Sequence, residues 1–178
     1  MAATGHGMTV RPLRLIGDPV LRTESDLVTR FDKTLEALVD DLLDTVAEPG
    51  RAGLAANQIG SSLAVFAYNV DGQRGYLINP RIVDREGVQL GLEGCLSVPG
   101  IWAERQRPAV AVAAGVDLRG DPVVVSGSEE LARCLEHETD HLRGQLFIDG
   151  LEPDERRRVM RDLRRSRLAG SDPGPPWN

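Results

Sequence analysis

The chain has 178 residues, of which 41% are hydrophobic and 27% are charged, and its formal net charge is −6. This composition is typical of a folded domain, and the acidic balance excludes a general DNA-binding protein, which needs clustered Lys and Arg. Mostly apolar runs reach only about eight residues, whereas a membrane-spanning helix needs roughly 20. We therefore expect a cytoplasmic protein that binds neither DNA nor membrane.

The first half of the chain predicts one helix and two strands. Apolar side chains recur at helical spacing over residues 30–47, and Pro49 then ends the helix. The next two predicted strands cover residues 63–70 and 76–83. Pro80 predicts that the second is bent or at an edge, because proline lacks the amide N–H that a central strand uses.

The second half predicts an irregular segment, a hairpin and two helices. Apolar residues in the segment 87–108 follow neither the helical nor the strand period, which predicts irregular structure. Residues 109–125 predict a hairpin. A capping-box spacing that begins at Ser126 predicts a helix that ends near Arg143. The last predicted helix covers residues 153–168.

The strongest chemical signal is the sequence His137-Glu138-Thr139-Asp140-His141 in the first of these two helices. Histidines four residues apart lie on one helix face, one turn apart, and can bind one metal ion. Glu138 lies beside them, where a carboxylate can exchange a proton with a metal-bound water. Two imidazoles leave a catalytic metal site one protein ligand short.

Several residues could supply the third ligand. Glu152 and Glu155 are near in sequence but begin a new helix. Cys134 is on the same helix face, about 10 Å along the axis from His141, too far for one ion to bind all three side chains easily. A glycine-bounded loop can bring Cys95 to the open face, and a Cys-His-His set suits zinc or ferrous iron. The residues alone favour Cys95 and leave the alternatives open.

Element order and motif together predict an α+β fold, because the strands are central and no βαβ alternation occurs. We expect antiparallel β-sheets packed around a central helix that carries the HExxH motif, with an N-terminal helix and a C-terminal helix. The expected organisation is a flexible tail at residues 1–10, one catalytic domain at residues 11–169, and a disordered tail at residues 170–178.

The chain resembles the peptide deformylases in three short motifs, which occur in that family's order. They are GLAANQ at residues 53–58, EGCLS at residues 93–97 and HETDH at residues 137–141, and DPVLR at residues 18–22 also matches. The resemblance covers about residues 12–168. It implies a bacterial amide hydrolase that removes the formyl group from the N-terminal formylmethionine of new polypeptides and releases formate.

The resemblance implies one divalent metal ion per chain, with Fe²⁺ in cells and Zn²⁺, Ni²⁺ or Co²⁺ as substitutes. Its ligands would be Cys95, His137 and His141. Glu138 would act as the proton shuttle, while the Gln58 side-chain amide and the Leu96 backbone N–H would donate to the oxyanion.

The family pattern also assigns supporting roles. Gly53, Leu54 and Gly94 would contact the substrate, and Glu93 with Arg107 would brace the cysteine loop as an ion pair.

The chain departs from the family pattern at a few positions. Arg51 and Ala52 stand where the family usually has a glycine and a hydrophobic residue that line the substrate entrance, which puts substrate and inhibitor preference in doubt. Glu136 replaces a glutamine before the metal motif, and we expect its side chain to point away from the metal.

Two further interpretations remain open. A metallopeptidase that cleaves internal peptide bonds shares the HExxH chemistry, but such enzymes take a third His or Glu, so Cys95 argues against it. Residues 154–167 contain seven arginines and three acidic residues, and this segment could be a helix that contacts ribosomal RNA.

Overall fold

Seven strands and three α-helices follow one another in the computed structural model, which describes residues 9–169. The helices are α1 (Lys33–Val46), α2 (Glu129–Leu142) and α3 (Pro153–Ala169). The strands are β1 (Gly53–Ala55), β2 (Val65–Val70), β3 (Gln73–Glu86), β4 (Gln89–Cys95), β5 (Val98–Arg107), β6 (Val110–Val116) and β7 (Pro122–Ser128). The predicted C-terminal tail and residues 1–8 of the predicted N-terminal tail lie outside the described residues.

The strands form two antiparallel sheets. Five of them form one sheet in the order β1-β2-β3-β6-β7, and β4 pairs with β5 in a separate hairpin. The sequence predicts that β3 is either bent or at an edge. The edge position is wrong, because β3 lies at the centre of the larger sheet. The bend is confirmed, because the pairing register of β3 with β6 shifts between Ile78 and Arg81, where Pro80 needs no ladder partner.

Helices pack on the two faces of the five-stranded sheet. Alternate residues of β2 separate the faces: Val65 and Ala67 share a core cluster with α1, whereas Phe66 shares one with α2. Every residue of α2 from 131 to 142 is buried, so this helix is enclosed by protein. The predicted α+β fold around a central helix is therefore confirmed.

A third core cluster joins α3 to the hairpin. Val159 and Leu163 of α3 pack in it with Phe147, and Cys95 at the end of β4 belongs to the same cluster. No helix within residues 9–169 is both long and apolar enough to cross a membrane.

The prediction of irregular structure over residues 87–108 is wrong, because β4 and β5 occupy most of this segment. The spacing of apolar residues does not indicate these strands. Leu90 and Leu92 of β4 are 66% and 64% exposed, while Glu93 and Arg107 are buried as an ion pair. A strand that exposes leucines and buries charges does not show the usual alternation of an amphipathic strand.

The predicted start of α2 at Ser126 is also wrong. Strand β7 continues through Ser128, because Ser126 and Ser128 pair with Val112 and Val110 of β6. Helix α2 therefore begins at Glu129, and the Ser128 side chain makes no capping hydrogen bond.

Candidate metal centre

Helix α2 and strand β4 bring three possible metal ligands together. His137 and His141 lie one turn apart on α2, with ring centroids separated by 4.9 Å. Cys95 at the end of β4 faces them, and its Sγ lies 3.2 Å from His141 Nε2. One donor atom from each of the three residues lies within 4.8 Å of the other two. The structure thus brings together the predicted ligands, and Cys134, Glu152 and Glu155 are outside this group.

Local backbone geometry directs Cys95 towards the helix. The β4–β5 register shifts between Gly94 and Cys95, so the strand ends in a tight connection at this point. The Ser97 N–H donates to Cys95 Sγ at 3.4 Å, which holds the side chain in place. At Gly94, a Cβ atom would lie 2.8 Å from the Trp102 ring, so a larger residue would displace one of the two.

Glu93 fixes the orientation of His137. Its Oε1 lies 2.8 Å from His137 Nδ1, which leaves Nε2 of that ring for a metal ion. Burial alone would raise the pKa of Glu93, but hydrogen bonds from His137 and Arg107 hold it well below its usual value. Glu93 is therefore a permanent anion behind the ligand.

A buried charge network surrounds Glu93. Arg107 donates from Nε to Glu93 Oε2 at 3.0 Å and from Nη2 to Oε1 at 2.6 Å, and its Nη1 donates to Asp140 at 2.7 Å. Arg133 donates to Glu93 Oε2 at 2.7 Å, and Arg105 contacts Asp140 at 3.3 Å. The predicted Glu93–Arg107 pair is thus part of a five-residue network that links β4, β5 and α2.

The two histidines of the centre have pKa shifts in opposite directions. Burial would lower the pKa of His137, but its bonds to Cys95 and Glu93 raise that pKa well above its usual value. Burial and the neighbouring charge of His137 lower the pKa of His141 well below its usual value. One thiol and two imidazoles are donor types that zinc and ferrous iron bind, so the donor set fits a divalent metal ion.

Glu138 lies next to the ligands with a free carboxylate oxygen. The residue is 3% exposed, and no hydrogen-bond partner within residues 9–169 reaches its buried Oε2. Burial raises the pKa of Glu138 to about 7, with a further contribution from Glu93. A carboxyl group with this pKa can both accept and return a proton near neutral pH.

The Gln58 side chain has a fixed orientation. Its Oε1 accepts the Ala55 N–H at 2.8 Å, so Nε2 points the other way, 3.1 Å from Ser97 Oγ and 3.8 Å from Cys95 Sγ. The amide N–H groups of Gln58 are therefore directed towards the ligands, as an oxyanion donor requires.

A cavity of about 220 Å³ opens beside these groups. Its lining includes both Leu96 and Gly94, and Gly53 lies where a Cβ atom would overlap Glu138 Oε1 and come within 2.7 Å of Cys134 Sγ. Leu54, which the sequence predicts as a substrate contact, is fully buried in the core with α1, and its side chain does not line the cavity.

The structure gives roles to three residues for which the sequence predicts none. Arg133 and Trp102 line the cavity, and Asp140 holds Arg107 and Arg105. The sequence feature that could have identified Arg133 is an arginine within a helix that is otherwise buried. Glu136 points away from the ligands, as predicted, and bonds to Arg85 Nε at 2.6 Å.

Comparisons with known proteins agree with this geometry. A family model described as Polypeptide deformylase matches residues 10–157. The Peptide deformylase of Acidothermus cellulolyticus is 52% identical, over 92% of this chain and 91% of that protein. The Peptide deformylase of a Parafrankia species is 48% identical, over 94% of this chain and 92% of that protein.

Solved structures show the same fold. The crystal structure of a peptide deformylase from Legionella pneumophila superposes with a TM-score of 0.83 at 36% identity, and covers 93% of this chain and 100% of that one. The peptide deformylase from Thermus thermophilus gives the same score and identity over 90% of this chain and 96% of that one.

Proposed function

The chain belongs to the polypeptide deformylase family, and we propose that it removes the formyl group of new polypeptides at the centre formed by Cys95, His137, His141 and Glu138. The observation that carries this assignment is the convergence of one thiol and two imidazoles beside a buried carboxylate with a free oxygen. We assign the activity to one catalytic domain, residues 11–169.

The substrate is an N-formylated peptide, and the reaction is hydrolysis of its formyl amide. Water adds to the formyl carbon, the bond from that carbon to the peptide nitrogen breaks, and formate and a free amine are released. Cys95, His137 and His141 would hold a divalent ion, which when bound lowers the pKa of water and polarises a carbonyl group.

The residues around the ligands have separate roles in the reaction. Glu138 takes the proton of the attacking water and gives it to the leaving amine. The Gln58 amide and the Leu96 backbone N–H donate to the carbonyl oxygen as its negative charge develops. Glu93 and Arg107 hold His137 and the cysteine loop in place, and Gly53 and Gly94 leave room for the substrate backbone.

We propose Fe²⁺ as the metal in cells, with Zn²⁺, Ni²⁺ or Co²⁺ able to replace it. A mixed thiolate and imidazole set accepts all four ions, so the ligands alone do not choose between them. Metal analysis of protein that is prepared without oxygen tests the assignment. One iron per chain is the expected result, and zinc alone under these conditions would contradict it.

Formate release from formyl-Met-Ala-Ser by the metal-loaded protein tests the reaction. Glu138→Gln should lower kcat by at least about a hundredfold, because general acid–base catalysis contributes factors of that size. Glu136→Gln is the matched control: it neutralises a buried glutamate on the same helix, but one that faces Arg85. Equal rates for the two variants would remove Glu138 from the mechanism.

A metallopeptidase function is not favoured, because the third member of the centre is Cys95 rather than His or Glu. Incubation with casein separates the two activities. We expect no cleavage of internal peptide bonds under conditions that release formate from formylated peptides.

We further propose that α3 contacts ribosomal RNA, which would bring nascent chains to the enzyme in the bacterial cytoplasm. Arg156, Arg157 and Arg158 bond to acidic neighbours. Four other exposed arginines on α3 have no acidic partner within residues 9–169: Arg161, Arg164, Arg165 and Arg167, the last of which donates to the Ile16 carbonyl oxygen. Unpaired arginines of this kind can neutralise phosphates.

Charge reversal is a better test of this contact than deletion, because Val159 and Leu163 of α3 are part of the core. The triple variant Arg161→Glu, Arg164→Glu and Arg165→Glu should lose co-sedimentation with ribosomes and keep its activity on formyl-Met-Ala-Ser. Arg30→Glu, at an exposed position far from α3 in sequence, is the control. Unchanged co-sedimentation of the triple variant would contradict the proposal.

A further inference from the structure

One wall of the cavity carries a charge that the proposed mechanism does not use. Arg133 lines the cavity together with Leu92 and Cys134, while Cys95, His137 and Glu138 form the part that adjoins the reacting groups. Arg133 is only 5% exposed, so its guanidinium is held inside the protein rather than in bulk water. The cavity is therefore not a purely apolar pocket.

The guanidinium of Arg133 is only partly satisfied. Its Nη1 donates to Glu93 Oε2 at 2.7 Å and to the Arg105 carbonyl oxygen at 3.1 Å. Across residues 9–169, neither Nε nor Nη2 forms a hydrogen bond, and neither is fully enclosed by protein. Nη2 lies 3.1 Å from the point that a Cβ atom would occupy at Gly91, so the absence of a side chain there leaves room for the group.

A formylated substrate would place its first side chain in this cavity. The Cα atom of the first residue is bonded to the formyl nitrogen, so that side chain starts close to the reacting carbon. The space beside the reacting groups extends to Arg133. The first side chain can therefore reach the part of the cavity wall that Arg133 forms.

We propose that Arg133 is a specificity-determining residue that donates a hydrogen bond to a neutral acceptor on the substrate's first side chain. The inference rests on the proposed deformylase function. The substrate class that it adds is the formylated peptide whose methionine is oxidised to the sulfoxide, since oxidation turns the apolar thioether into a polar acceptor. The guanidinium group of arginine carries five N–H donors and no acceptor, so it can only donate to the substrate.

The charge of the cavity supports a neutral acceptor rather than an anion. Among residues 9–169, Arg133 is the one arginine in the lining of this cavity, where it pairs with Glu93, and the exposed Glu130 adds a further carboxylate to that lining. An anionic first side chain would be repelled by Glu130, whereas a sulfoxide oxygen carries no net charge.

The test compares kcat/KM for formyl-Met-Ala-Ser and for two analogues, in which norleucine or methionine sulfoxide replaces methionine. The wild type should process the sulfoxide peptide at least as well as the norleucine peptide. The specificity ratio is kcat/KM for the sulfoxide peptide divided by kcat/KM for the norleucine peptide. Arg133→Met should lower this ratio about tenfold or more, as expected for loss of a hydrogen bond from a charged donor. Arg133→Lys, which keeps a charged donor, should retain part of the ratio.

The ratio separates specificity from bracing of Glu93, because a loss of bracing slows all three substrates alike. Arg105→Met is the matched control, since Arg105 belongs to the same charge network but does not line the cavity; its ratio should equal that of the wild type.

A ratio that Arg133→Met leaves unchanged would overturn the proposal, and so would a wild type that processes the sulfoxide peptide about tenfold more slowly than the norleucine peptide. The second result decides the matter even if Arg133→Met fails to fold. Release of no formate from formyl-Met-Ala-Ser would instead contradict the deformylase function itself.

Discussion

Replacement of Arg107 by leucine removes the centre of the buried charge network and should destabilise the protein strongly. The guanidinium makes two hydrogen bonds to Glu93 and one to Asp140, and its side chain is 4% exposed. Leucine fills part of the volume but leaves both carboxylates short of a partner. Removal of one member of a buried ion pair commonly costs about 3–5 kcal/mol of folding free energy.

The remaining contacts place the expected cost of Arg107→Leu at the lower end of that range. Glu93 keeps Arg133 at 2.7 Å and His137 at 2.8 Å, and Asp140 keeps Arg105 at 3.3 Å. We therefore expect a loss of about 3 kcal/mol, because neither acid is left without a donor. Metal affinity should also fall by about ten- to a hundredfold, since Glu93 orients His137.

Urea unfolding of the metal-loaded protein measures the first effect, and competition with a chelator measures the second. Arg119→Leu is the control, because Arg119 is 81% exposed and, within residues 9–169, pairs with Asp117 and Asp121; it should cost less than about 1 kcal/mol. A double variant with Glu93→Leu should lose less than the sum of the two single changes.

Two results would refute this reasoning. The first is a cost for Arg107→Leu that is no larger than that for Arg119→Leu. The second is full additivity with Glu93→Leu, which would mean that the two buried side chains do not depend on each other.

Three further changes test other parts of the structure. Gly53→Ala should lower kcat at least about tenfold with its metal content unchanged, because the added methyl group would overlap Glu138 Oε1; a wild-type kcat would contradict this. Asn79→Ala should lower the free energy of unfolding in urea by about 2 kcal/mol, because the Asn79 amide bonds to both the N–H and the C=O of Val28. A loss below about 0.5 kcal/mol would show that these bonds contribute little. Removal of the metal with a chelator should lower Tm, and added metal should restore it, because an ion that binds only the folded state stabilises that state; an unchanged Tm would argue against a metal site in the folded protein.

Helices α1 and α3 were predictable because each has a simple local cause. Residues 30–47 show an apolar stripe, and the structure places α1 at Lys33–Val46 with Asp32 as its N-cap. Helix α3 begins at Pro153, as predicted from the preference of proline for the first turn. These features depend on neighbours within a few residues, so one sequence is enough to identify them.

The hairpin of β4 and β5 was not predictable from local pattern. Its buried positions include Glu93 and Arg107, which pair with each other and with Arg133 and Asp140 of α2. Arg133 is separated from Glu93 by 40 residues. A sequence pattern that scores each residue by its own polarity assigns such charges to the surface.

The candidate site also contains some residues that a local pattern identifies and others that it does not. The spacing of His137 and His141 indicates a metal pair directly, because both residues lie on one helix. The residues alone left the third ligand open, and the fold brings Cys95 to within 3.2 Å of His141. The position of Arg133 in the cavity wall depends on where β4 crosses α2, which no local pattern specifies.

X-ray absorption spectroscopy of the zinc-loaded protein tests the central claim most directly. We predict one sulfur ligand at about 2.3 Å and two imidazole nitrogens at about 2.0–2.1 Å. The sulfur signal should disappear in Cys95→Ser and remain in Cys134→Ser, in which the other buried thiol is changed. A wild-type spectrum without sulfur, or a sulfur signal that survives in Cys95→Ser, would contradict the assignment of Cys95, His137 and His141 as the metal ligands.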